Sequence, residues 1–121
     1  MRPSPRTLRA ALLVLVFTIT SACQGDPGDR AAEATPVTGV TQVVAKDLRF
    51  QPPAIQVPAG TEVTWRFDDG SVPHNVKGDG FASKNQTKGT FAHTFDRPGT
   101  YPYRCTIHDG MTGRVVVTAA G

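Results

Sequence analysis

Thr61-Glu62-Val63-Thr64-Trp65-Arg66-Phe67 alternates polar and apolar side chains without a break. A period of two places Val63, Trp65 and Phe67 on one face and Glu62, Thr64 and Arg66 on the other, which an extended strand accommodates and a helix does not. Residues 91–95 and 100–105 repeat this period on either side of the turn signal Asp96-Arg97-Pro98-Gly99, a pattern that predicts a hairpin. Residues 40–45, 54–57 and 114–118 add three β-rich runs, separated where Pro52-Pro53 and Pro58-Ala59-Gly60 break the chain. Short strands with this punctuation predict an all-β sandwich. No segment carries a long helical period with caps, although residues 81–88 can hold an irregular or helical turn.

The amino terminus is of another kind. Arg2, Arg6 and Arg9 form a basic start, residues 10–19 an apolar run too short to span a bilayer, and Ser21-Ala22 a small-residue site before Cys23. Residues 1–22 therefore read as an export signal. Small residues followed by cysteine resemble the lipobox of bacterial lipoproteins, whose cysteine is acylated, although Thr20 stands where such boxes usually carry Leu. The expectation is a lipid anchor at Cys23, with an ordinary signal peptide as the alternative. Residues 23–36 have no large apolar side chain and read as a flexible tether with a root-mean-square span of roughly 20 Å. Residues 37–121 remain as one small domain, expected to be monomeric.

The chain has 13 Lys+Arg against 10 Asp+Glu, but three of the basic residues belong to the leader and no acid does. The exported part is formally neutral, which removes the case for a nucleic-acid binder. Its cysteines are Cys23 and Cys105 alone. A disulfide between them is one option. If Cys23 carries lipid, Cys105 is instead a free thiol in an oxidising compartment, and metal ligation is a reason for it to stay reduced.

Cys105 belongs to the run Tyr103-Arg104-Cys105-Thr106-Ile107-His108-Asp109-Gly110-Met111, and His74 follows Pro73 upstream. Tyr101, Tyr103 and Cys105 share parity, so a core-facing tyrosine pair directs the thiol inward at its strand end. Asp109-Gly110 and Gly113 supply turn residues that fold His108 and Met111 back over the same end. A thiolate, two imidazoles and a thioether are the donors of a mononuclear blue-copper centre. The soft sulfurs suit Cu(I) and the imidazoles suit Cu(II). Asn75, next to His74, is expected to place a backbone N–H near the sulfur and tune the site.

Val72-Pro73-His74-Asn75-Val76 and the stretch 99–115 resemble the plastocyanin and amicyanin branch of the cupredoxins. The Cys-x2-His-x2-Met spacing is similar to the short ligand loop of amicyanins. The resemblance covers residues 40–119 and extends to Phe50-Gln51-Pro52 and Ala59-Gly60-Thr61. It implies a Greek-key β-sandwich with one copper ion at one end, held by His74, Cys105, His108 and an axial Met111. It further implies an electron carrier between redox proteins, in the periplasm or on the outer face of a bacterial membrane, and not an enzyme. By the same resemblance His108 is the electron port in an apolar patch, and an exposed residue beside the cysteine marks a second docking face. Arg104 is a departure at that position, and is expected either to favour acidic partners there or to be a solvated surface charge.

Other classes fit parts of the pattern. A copper carrier or storage protein would use the same donors, and zinc could occupy them. A Cys105–His108 thiol enzyme is disfavoured by an inward cysteine without an oxyanion hole or orienting group. A metal-free adhesion sandwich leaves the four donors unexplained. His93 shares parity with Phe91 and Phe95 and reads as a half-buried structural histidine, with a second metal site as the lesser option. Trp65 and Tyr103 read as core aromatics.

Overall fold

In a computed structural model, which describes residues 30–120, the alternating runs become strands. In chain order the elements are α1 (Arg30–Glu33), β1 (Val37–Thr38), β2 (Gln42–Lys46), β3 (Arg49–Gln51), β4 (Ala54–Pro58) and β5 (Thr61–Phe67). They continue with β6 (Lys77–Gly78), β7 (Phe81–Ala82), β8 (Thr90–Phe95), β9 (Gly99–Arg104) and β10 (Thr112–Thr118). The leader and Cys23 lie outside the described residues.

Two sheets form, ordered β1-β4-β10-β9-β6-β7 and β3-β2-β5-β8. Alternation is visible in burial. Val63, Trp65 and Phe67 are buried on β5 while Glu62 and Arg66 are exposed. Trp65 is fully buried at the centre of the core, with ring centroids 5.9 Å from Phe81, 5.7 Å from Phe91, 6.4 Å from Phe95 and 5.2 Å from Tyr103. Phe50 and Tyr103 meet edge to face across the sheets at 4.8 Å. Such aromatic pairs contribute roughly 0.5–1.5 kcal/mol each beyond their buried area.

The expected hairpin between residues 91–95 and 100–105 does not form. β8 pairs with β5 in the four-stranded sheet, whereas β9 pairs with β10 and β6 in the other, so the turn at 96–98 crosses between layers. Period-two patterning fixes which side of a strand is buried but not which sheet the strand joins. Phe95 and Tyr101 consequently face one another across the sandwich, 4.9 Å apart, and do not sit side by side on one sheet.

Gly113 also differs from expectation. It lies inside β10, opposite Tyr103 in the ladder, and is not a turn residue. A Cβ at this position would fall inside the van der Waals envelope of the Tyr103 ring, so the glycine makes room for the aromatic. Burial drives the Tyr103 phenol far above its ordinary ionisation range.

The second half of the expected tether is docked on the domain. The Arg114 guanidinium donates from Nε to the Ala31 carbonyl and from Nη2 to the Ala34 carbonyl, both at 2.6 Å, and Ala31 is buried beneath. These are carbonyls at the end of α1, where a cation is favoured. β1 then pairs parallel to β4. Small, polar composition suggested flexibility at 30–36, but one arginine from a distant strand supplies the missing partners. Arg114→Ala is expected to speed amide hydrogen exchange in residues 30–38 by at least tenfold, consistent with losing charge-assisted bonds of roughly 1.5–3 kcal/mol each. Unchanged exchange would show that the clamp contributes nothing.

Candidate metal centre

The hairpin loop joining β9 to β10 carries three of the predicted donors. Cys105 follows the last residue of β9, Met111 precedes the first of β10, and the Cys105 N–H donates to the Met111 carbonyl at 2.9 Å, closing the loop on itself. The Met111 N–H points to the His108 carbonyl at 3.4 Å, and Gly110 provides the positive φ of 75° that the return needs. Cys105 and Met111 are both buried, at 3% and 2% exposure. Parity from Tyr103 thus carries through to the thiol.

His74 arrives from the segment between β5 and β6. Its backbone is fixed on both sides by Gln86, with the His74 N–H donating to the Gln86 carbonyl at 2.9 Å and the Gln86 N–H donating back at 2.8 Å. The ring is fully buried, with Nδ1 4.0 Å from Cys105 Sγ. Ligand atoms of His74, Cys105 and His108 all lie within 4.8 Å of one another, and the two imidazole rings meet edge to face at 4.9 Å.

Hydrogen bonds at the far side of each ring decide which nitrogen faces the cluster. His74 Nε2 lies 2.8 Å from Asp69 Oδ2, and His108 Nε2 lies 2.8 Å from the Pro73 carbonyl oxygen. A carboxylate and a carbonyl can only accept, so both rings carry their proton on Nε2. The Nδ1 lone pairs are left for a metal. Two imidazoles, a thiol and a buried thioether suit copper chemically. The Asp69 carboxyl is held below its usual range, first by the His74 hydrogen bond and next by the Leu48 backbone N–H.

Asn75 ties the two ligand segments together through its side chain. Its Oδ1 accepts from the Thr106 N–H at 2.8 Å, while Nδ2 donates to Thr106 Oγ1 at 2.6 Å and to Asn85 Oδ1 at 2.7 Å. The residue expected to tune the sulfur through its backbone also acts, through its side chain, as a strut between the residues following His74 and Cys105. Asp69, Asn85 and Thr106 were not singled out from sequence. For Asp69 the available signal was a carboxylate in the Asp68-Asp69-Gly70 turn, five residues before a candidate ligand.

His93 lies elsewhere, stacked on Phe81 at 4.8 Å and edge-on to Phe95 at 4.8 Å. It is a structural aromatic. Among the described residues, the His74–Cys105–His108 group is the one set of three or more histidine, cysteine and acidic side chains placed to share an ion.

The profile of copper-binding proteins of the plastocyanin/azurin family matches residues 37–118. The chain belongs to this family. Amicyanin-alpha of Methylorubrum extorquens is 33% identical over 120 residues, covering 93% of this chain and 98% of that protein. Among solved structures, a purple cupredoxin from Nitrosopumilus maritimus superposes with a TM-score of 0.60 at 31% identity, over 65% of this chain and 100% of that one. A reduced Cu(I) amicyanin variant also superposes at 0.60 with 31% identity, over 73% and 89%. This family member therefore has both the fold and the clustered donors of a copper protein.

Proposed function

We propose that this protein carries single electrons between redox proteins outside the cytoplasm, through one copper ion bound by His74, Cys105, His108 and an axial Met111. The observation that carries this reading is the convergence of the Cys105 thiol with two imidazoles whose outer nitrogens are both occupied by acceptors. When bound, the copper would cycle between Cu(I) and Cu(II). The protein's part is to hold the donors still. The closed 105–111 loop, the Gln86 bonds to His74 and the Asn75–Thr106 strut fix them from three sides. Donors that cannot rearrange keep the geometry common to both oxidation states, which lowers the barrier to electron exchange.

His108 is half-buried and serves as the electron port. Beside it in the loop Ile107 is 41% exposed, and Leu48, 52% exposed, lines a cavity of about 620 Å³ with Asp109, Gly110 and Met111. The exposed Ile107 and Leu48 side chains suit transient docking, beside a cavity that Arg30, Arg49, Gln51 and Asp109 also line. Cys23 acylation would hold the domain at the membrane through the residues preceding α1. The leader's charge pattern and the small residues before Cys23 support that anchor.

Arg104 projects outward beside Cys105 and stands opposite Lys77 in the ladder. Like charges directly opposite are mildly unfavourable, and two exposed cations side by side would attract an acidic partner. Arg104→Glu is expected to raise stability by a few tenths of a kcal/mol while slowing low-salt electron exchange with acidic redox proteins several-fold. Unchanged rates and unchanged salt dependence would show Arg104 to be a solvated surface charge.

Copper delivery is the competing use of such a site. A Cu(I) chelator challenge separates the two. An electron carrier retains copper through repeated reduction and reoxidation, whereas a delivery protein loses it to the chelator within the first reduced period.

A further inference from the structure

Asp68 and Asp69 are adjacent acids with different fates. Asp68 is 48% exposed in its side chain and pairs with Arg66 at 2.8 Å on the surface. Asp69 is only 15% exposed, and its Oδ2 takes two donors, the fully buried His74 Nε2 at 2.8 Å and the Leu48 N–H at 3.2 Å. The Leu48 amide is presented by the tight turn between β2 and β3, where Asp47 and Leu48 have φ of 53° and 55°. The Asp69 carbonyl accepts from the Val72 N–H at 3.0 Å, so its backbone is fixed as well. A carboxylate anchored beside one sheet thus reaches the imidazole of a ligand whose backbone pairs with Gln86 and leads into the other.

We propose that Asp69 is the positioning residue of His74: it fixes the ring tautomer and supplies anionic character that favours the oxidised state of the centre. The inference rests on the copper reading above. A carboxylate behind a ligating imidazole holds the proton on the outer nitrogen, aims the inner lone pair at the metal and makes the ring a stronger donor. A stronger imidazole donor stabilises Cu(II) more than Cu(I), which lowers the reduction potential. The two imidazoles are therefore unequal, since His108 is backed by the neutral Pro73 carbonyl and His74 by an anion.

Two measurements on the full chain test this. Nitrogen NMR of the metal-free wild type should show His74 protonated on Nε2 and bare on Nδ1, and Asp69→Ala, which removes the acceptor altogether, should convert it to a tautomer mixture. In the copper-loaded protein, Asp69→Asn should shift the Cu(II)/Cu(I) equilibrium toward Cu(I) by about tenfold, which is about 59 mV for one electron. Asp68→Asn removes the same formal charge one residue away and should shift it less than threefold. Equal shifts in the two variants, or wild-type His74 protonated on Nδ1, would overturn the proposal. If Asp69→Asn does not fold, the wild-type tautomer alone decides. The visible spectrum of loaded wild type, taken on the same samples, tests the copper reading separately. A missing thiolate band would remove that reading and leave the tautomer result intact.

Discussion

Cys105→Ser is expected to give no intense visible absorption on addition of Cu(II), although its far-UV circular dichroism matches the wild type. The substitution replaces a soft, readily ionised sulfur by a hydroxyl that stays protonated near neutral pH. His74, His108 and Met111 are left in place. Their supports, the Gln86 pairing and the carboxylate and carbonyl behind the rings, do not involve the thiol. Affinity for Cu(II) should fall by more than the roughly 10–100-fold that loss of an outer hydrogen-bond partner costs a metal site. Thermal denaturation supplies an independent readout. Saturating copper at about 1,000 times its Kd adds about 4 kcal/mol to a folded state that alone binds it, and the serine variant should lose most of that gain. A retained band or a retained thermal gain would place the metal elsewhere.

The largest expected loss of stability comes from a residue that touches no metal. Gly113→Ala drives a methyl group into the ring of Tyr103, which is buried and packed between Phe50 and Trp65. Gly113 is not among the positive-φ glycines, so the conflict is steric and not a matter of backbone conformation. Overpacking of this kind typically costs 1–3 kcal/mol, and a backbone-to-backbone ladder leaves little room for escape, so about 3 kcal/mol or roughly 15 °C in Tm is expected. Tyr103→Leu costs stability in its own right. Combined with Gly113→Ala it should cost less than the two single changes together, because each relieves what the other creates. Strict additivity in chemical denaturation would disprove the contact as the cause.

The sandwich was legible because burial follows strand parity, and parity is written in the sequence. Val63, Trp65, Phe67, Tyr103 and Cys105 all fall on the side that alternation assigns. Strand partnership was not legible. The turn at 96–98 has the same residues whether it folds a hairpin or crosses between layers, and only the packing of Phe95 on Tyr101 distinguishes the two. The short strands β1, β3, β6 and β7 were invisible because two or three residues cannot display a period.

At the centre, the four donors were visible because soft and imidazole ligands at Cys-x2-His-x2-Met spacing are chemically distinctive. The residues that orient them were not. Asp69 reaches His74 only through a turn whose geometry the sequence does not state. Asn75 stands beside a ligand in the sequence, but its partner Thr106 lies 31 positions away. The docked segment at 30–36 shows the same limit, since its partner Arg114 lies more than 80 positions downstream of Ala31.

The central claim, that these donors form one type-1 copper centre, is tested most directly by titrating Cu(II) into the purified metal-free protein while recording its visible and electron paramagnetic resonance spectra. The expected result is an intense thiolate-to-copper band that saturates at one equivalent, with a narrow copper hyperfine splitting, bleaching on one-electron reduction and returning on reoxidation. A colourless complex, or ordinary wide hyperfine splitting at one equivalent, would contradict it.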